Sequence, residues 1–98
     1  MHLSDFLLQR IAEDEAVARR IAAVGSCEPA YHPARVLAEC AAKRAIVDDL
    51  SRFLANADAA GARSDHPTLM AGIELQLRHL AAPYANHPDY DPAWKVEP

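Results

Sequence analysis

At 98 residues, 51% of them apolar and with a formal net charge of −4, the chain has the size of one small domain with one modest core. Its 10 lysines and arginines are scattered among 14 acids, so it lacks the clustered basic face that releases counterions from a nucleic-acid backbone, and the acids are too sparse to imitate one. No apolar run approaches the roughly 18 residues of a membrane span, and MHLSDFLLQR has no basic region followed by an apolar stretch and a cleavage site, so a cytoplasmic protein without membrane insertion is expected.

About a fifth of the chain is alanine, the best helix former, and only three glycines occur, each read as lying near a helix end. The first helix is predicted over residues 4–24, with Ser4 as N-cap, Leu3 just outside and Gly25-Ser26 as the stop. Steps of 100° gather Leu3, Phe6, Leu7, Ile11, Val17, Ala18, Ile21 and Val24 on one face. GSCEPAYH, residues 25–32, reads as a loop. His32-Pro33 opens a second helix over 33–58, because proline at the first helical position loses no hydrogen bond. Its stripe is Val36, Cys40, Val47, Leu50 and Leu54, flanked by Ile46 and Phe53. His66-Pro67 repeats the device for a third helix over 67–82, in which Leu69, Met70, Ile73, Leu77 and Leu80 recur at helical spacing until Pro83.

The tail, residues 83–98, holds four of the 7 prolines yet also Tyr84, Tyr90 and Trp94. Disordered segments are poor in aromatics, so the tail is expected to pack across the helices, with a turn at His87-Pro88-Asp89. The predicted architecture is all-α: a three-helix bundle, one domain over residues 1–98, with an extended aromatic C-terminal tail packed on it.

Four residues break the pattern. Arg10 and Asp14 lie near the middle of the first apolar stripe, and Glu39 and Lys43 do the same on the second. Buried charges cost several kcal/mol unless paired. Three readings follow: ordinary i, i+4 ion pairs whose ends reach water, one neutral buried network that fixes helix register, or a ligand or catalytic pocket. Tyr84, His87 and Tyr90 of the tail would add donors and acceptors to such a cluster.

Conventional chemical signatures are missing from the sequence. His66, His79, His87, Asp89, Asp91 and the cysteines are metal-ligand types, but none has CxxC, HExxH or ExxH spacing, and there is no phosphate loop or GxSxG elbow. No metal, cofactor or catalytic residue is therefore assigned. Cys27 and Cys40 read as free thiols, Cys40 as a small core residue.

The segments FLLQRIAEDEAVARR, RVLAECAAKRAIVDDL and LRHLAAPYANHPDYDPAW resemble a family of small helical proteins, a domain of unknown function from actinobacteria and actinobacteriophages. The resemblance rests on the acidic EDE of the first helix, the HPAR-VL-E-AKR opening of the second and, most specifically, the PYA-HPDY tail. The chain departs from it in the middle, where GSCEPAYHP and GARSDHPTLM stand in place of a longer loop with a GPW-like segment and of cysteines before the third helix. What the resemblance implies is an origin more than a mechanism, and Glu39, Lys43, Tyr84, His87 and Tyr90 fall inside the matching blocks.

The leading expectation is a non-enzymatic accessory protein, phage-encoded, that docks on a host or phage protein through Trp94 and Tyr90, since aromatics tend to dominate such interfaces. The alternatives are a small-molecule or catalytic site on Arg10, Asp14, Glu39 and Lys43, with His87 or Tyr84 as proton donor, and a homodimer completed by the apolar stripes.

Overall fold

A computed structural model describes residues 1–25 and 31–97. Three long helices carry the structure: α1 (Leu3–Val24), α2 (Pro33–Ala59) and α4 (Pro67–Ala81), with a single helical turn α3 (Ala62–Asp65) between the last two. Two 3₁₀ turns follow, Ala82–Tyr84 and Pro92–Trp94. No strand occurs among the described residues. Cys27 and most of the predicted 25–32 loop lie outside them.

The helix boundaries follow local chemistry. Pro33 and Pro67 each occupy the start of a helix behind an extended or irregular histidine, as the repeated His-Pro pairs require. Gly25 ends α1 in the left-handed region, φ 64°, where its N–H reaches the Ala22 carbonyl at 3.3 Å. Gly61 does the same after α2 with φ 73°, and the chain re-enters helix at once as α3, a turn that no periodic apolar pattern announces. Gly72 lies inside α4 rather than at an end.

Ser4 is not the N-cap of α1. The helix begins one residue earlier, behind His2, with no side chain closing its first turn. The physical gain is burial: Leu3, drawn into the helix, packs against the core.

That core joins Phe6, Leu7 and Ile11 of α1 to Cys40 and Val47 of α2 and to Leu77 and Ala81 of α4. Leu50, Leu54, Leu80, Tyr84, Tyr90 and Trp94 are half-buried around it. The predicted stripes are wider than the surfaces actually covered: Val17, Val24, Ile46, Phe53 and Leu69 all remain exposed. The reason is geometric, because α2 is much longer than α4 and the molecule is drawn out to 52 × 24 × 22 Å, so no third helix covers every apolar position. Beyond α4 the chain turns three times, with His87 N–H to Tyr84 O at 2.9 Å, Tyr90 N–H to His87 O at 3.0 Å and Trp94 N–H to Asp91 O at 2.9 Å. This folds the tail back onto α1, including the turn expected at residues 87–89.

Candidate functional site

The sequence marked Arg10 as a charge where a core residue belonged, and Arg10 is only 5% exposed. Its guanidinium lies 5.1 Å from the centre of the Phe6 ring. It hydrogen-bonds the His87 ring at Nε2, and pairs with Glu13 at 3.0 Å and Asp89 at 3.9 Å. Nδ1 of His87 also accepts the Asp89 N–H at 3.0 Å, which orients the ring toward Arg10. One guanidinium nitrogen, Nε, is buried without a partner among the described residues. Both acids are about half exposed, so the burial cost falls chiefly on Arg10 while its counter-charges keep much of their water.

Asp14, one turn further along α1, accepts a hydrogen bond from the Tyr84 hydroxyl at 2.7 Å. Burial first, and then this bond to a carboxylate, pushes the Tyr84 hydroxyl well above the usual phenol range. The ring of Tyr84 meets Phe6 edge-on at 6.3 Å, and Tyr90 and Trp94 lie against Phe6 at 6.0 and 5.0 Å.

Glu39 and Lys43 do not join Arg10 in one neutral cluster. Glu39 pairs with Arg35 on its own helix at 3.1 Å, and Lys43 makes no ion pair among the described residues. Neither expected i, i+4 pair forms: Arg10 reaches the tail, the Tyr84 hydroxyl claims Asp14, and Glu39 is taken by Arg35. A pair not foreseen, Arg44 with Glu15, ties α2 to α1 instead. Asp14, Glu39 and Lys43 do border a common cavity of about 280 Å³, with Cys40, Val17, Val36 and Tyr31 on its walls. Burial, followed by the charges of Asp14 and Glu15, pushes the Cys40 thiol up, which makes it a poor nucleophile.

A larger cavity, about 370 Å³, opens at the other end of the molecule, where the start of α1, the end of α2, α3, α4 and Trp94 meet. Arg63 is fixed on its wall by Asp58, at 2.6 and 3.2 Å, and by Glu74 at 2.6 Å. The two bonds from Arg63 hold the Asp58 carboxyl below its ordinary range. His2, Ser4, Ser51 and Arg78 supply further polar groups, and Leu54, Leu77 and Trp94 supply apolar ones.

Residues 1–96 match the model of a family described as Family of unknown function (DUF6221). The chain belongs to this family. No curated protein and no solved structure matches it.

In this family member, then, the structure brings Arg10, Asp14, Tyr84, His87 and Tyr90 together along α1 and leaves Glu39 and Lys43 apart on α2. Trp94, expected to face a partner, is half-buried on Phe6 and lines the larger cavity. The residues that sequence reasoning missed are those of that cavity. Ser51, Arg63 and Arg78 come from three different helices and have no common spacing that would reveal them.

Proposed function

We propose that this chain is a non-enzymatic accessory protein that docks on another protein, as a phage-encoded factor of host takeover or phage defence does, and that it docks through α2 and α4 rather than through the tail. The observation that carries this reading is the exposure of Ile46 (45%) and Phe53 (47%), seven residues apart and therefore on one face of α2, together with Leu69 (52%) on α4. Tyr90 and Trp94 are committed to Phe6 and serve to hold the tail. A large apolar side chain gains about 1.5–3 kcal/mol on full burial, so half-covering two or three of them in an interface supplies a useful share of micromolar affinity.

The cavity between α1 and α2 supports a second reading, a small-molecule or catalytic site with Asp14, Glu39 and Lys43. It ranks behind the first, since His87 is engaged by Arg10 and the Tyr84 hydroxyl donates its hydrogen bond to Asp14, leaving neither free as the proton donor such chemistry needs.

The test is affinity capture from an actinobacterial lysate with the native chain and with the Ile46→Asp, Phe53→Asp double variant. One dominant protein, retained by the native chain and lost with the variant, is the expected result. Identical captured material from both would sink the reading. Sedimentation of the native chain at micromolar concentration separates a foreign partner from a second copy, the homodimer showing at twice 10.7 kDa.

A further inference from the structure

The solvent side of α2 has a symmetry of its own. Arg35 and Asp49 lie seven residues to either side of Ala42, and Ala38 and Ile46 lie four to either side, so steps of 100° put all five on one face. Ala38 and Ala42 are exposed, Ile46 is 45% exposed, and the side chains of Arg35 and Asp49 are 76% and 75% exposed. The charges on this face are weakly engaged. Arg35 pairs with Glu39 at 3.1 Å and Asp49 with Arg52 at 3.7 Å, both within the helix and in water, where an ion pair adds little.

An antiparallel pair of α2 helices with its two-fold axis at Ala42 matches these positions. Such a pair sets residues at equal distances on opposite sides of the axis against one another, and does so twice. Ala42 meets the partner's Ala42, Ile46 meets the partner's Ala38, and Asp49 meets the partner's Arg35. Each large side chain falls on a small one, which lets the helices approach closely, and each acid falls on a base. In an antiparallel pair the same flank of both helices comes together, so Glu39 stands beside the partner's Lys43, and Lys43 makes no ion pair within the chain among the described residues. A parallel pair would set like charges together at positions 35 and 49, and a slip of one turn would part Asp49 from the partner's Arg35. Nor does α4 obstruct the approach. It starts beside the C-terminal end of α2 and runs back along it for about 22 Å of the roughly 40 Å of α2. In the antiparallel pair that half lies opposite the partner's first half, where the partner has no α4.

From this self-complementarity we infer that the Arg35–Asp49 face of α2 is the contact between two copies of the chain. The pairing rests on the exposure of Ile46, as the docking reading does, and assigns the first part of that face to a second copy while Leu69 stays open to another protein. Two helices in contact over roughly 20–30 Å cover less than the ~800 Å² per partner of a standard interface, so the dimer is expected to form and part in the micromolar range.

Sedimentation equilibrium of the purified full chain from about 5 to 500 µM brackets that range. The native chain is expected to pass from 10.7 kDa to twice that mass. Arg35→Glu and Asp49→Arg are each expected to weaken dimerisation at least tenfold, because each sets two pairs of like charges together. Mixed in equal amounts, the two variants are expected to regain the native dimer, since every contact between unlike variants then joins opposite charges. A native chain that stays at 10.7 kDa overturns the pairing. A dimer indifferent to both substitutions overturns this face, and variants that weaken it without recovery on mixing overturn the register. Far-UV circular dichroism checks that each variant is folded, and the native-chain measurement stands without them. Only the purified chain is in the sample, so a failed capture from lysate leaves this result untouched, and a monomer here leaves the capture untouched.

Discussion

Phe6→Ala tests whether the tail is part of the folded structure. Phe6 is fully buried, and the rings of Tyr84, His87, Tyr90 and Trp94 all lie within 6.3 Å of it, with the Arg10 guanidinium at 5.1 Å. Truncating a buried phenylalanine costs about 3–5 kcal/mol. The upper part of that range applies here, because edge-to-face ring contacts add to the area term and four tail rings share this one partner. A domain of this length has a total stability of about 5–15 kcal/mol, so the loss is about a quarter or more. At about 4–8 °C per kcal/mol, the melting temperature should fall by at least about 15 °C. Guanidinium denaturation followed by far-UV circular dichroism and by Trp94 emission measures both the loss and the release of the tail. Phe53→Ala, truncating a half-exposed ring, should cost less than about 1.5 kcal/mol and leave Trp94 unchanged. Equal effects of the two variants, or native Trp94 emission in folded Phe6→Ala, would refute the placement of the tail on α1.

Two further outcomes are expected. The folded-state hydroxyl of Tyr84 is pushed up from its ordinary value of 10.0, so its contribution is complete below about pH 10 and is lost as pH rises beyond it. Melting temperatures across that interval should fall more steeply for the native chain than for Tyr84→Phe, and parallel curves would refute a Tyr84 hydroxyl that is half-buried and bonded to Asp14. Gly61→Ala and Gly72→Ala should change stability in opposite directions, since neither new methyl meets a neighbouring atom within 4 Å. At Gly61 the left-handed backbone makes alanine worse by about 1–2 kcal/mol, and inside α4 alanine is better by about 0.8–1 kcal/mol, both read from urea midpoints.

Local chemistry made the long helices legible. Proline at positions 33 and 67 and glycine at 25 act within a few residues of themselves, and the structure places helix ends there. The tail's aromatic content likewise told that it packs. Periodicity failed at Ile46, Phe53 and Leu69, because a wheel shows which residues share a face but not how far a neighbouring helix extends along it. Ser4 misled for a related reason: capping preference is worth about 1 kcal/mol, which burial of Leu3 offsets. The bonds of Arg10 to His87 and of Asp14 to Tyr84 were out of reach of helical-spacing arguments, their partners being 77 and 70 residues away.

The charges on α1 make sense once the tail's direction is considered. Phe6, Arg10 and Asp14 are spaced by one helical turn, roughly 6 Å apart along the axis. Asp14 receives Tyr84, Arg10 receives His87 and Asp89, and Phe6 receives Tyr90 and Trp94. As α1 descends by four residues at each step, the tail ascends by about three, so the two segments run antiparallel, and the rings of Tyr84 and His87 also stand edge-on to Phe6 at 6.3 and 5.7 Å. Three leucines in those positions would bury as much surface but would accept the tail in several registers. An acceptor for a phenol, a cation for an imidazole and carboxylate, and a ring for two rings are not interchangeable, and a slip of one turn would set Arg10 against the Tyr84 hydroxyl and leave Asp14 without its donor. That mismatch strands buried polar groups at about 1–3 kcal/mol each. The polar seam of α1 thus offers each donor and acceptor of the tail a matching group in the register observed, while Ile46, Phe53 and Leu69 stay exposed on α2 and α4.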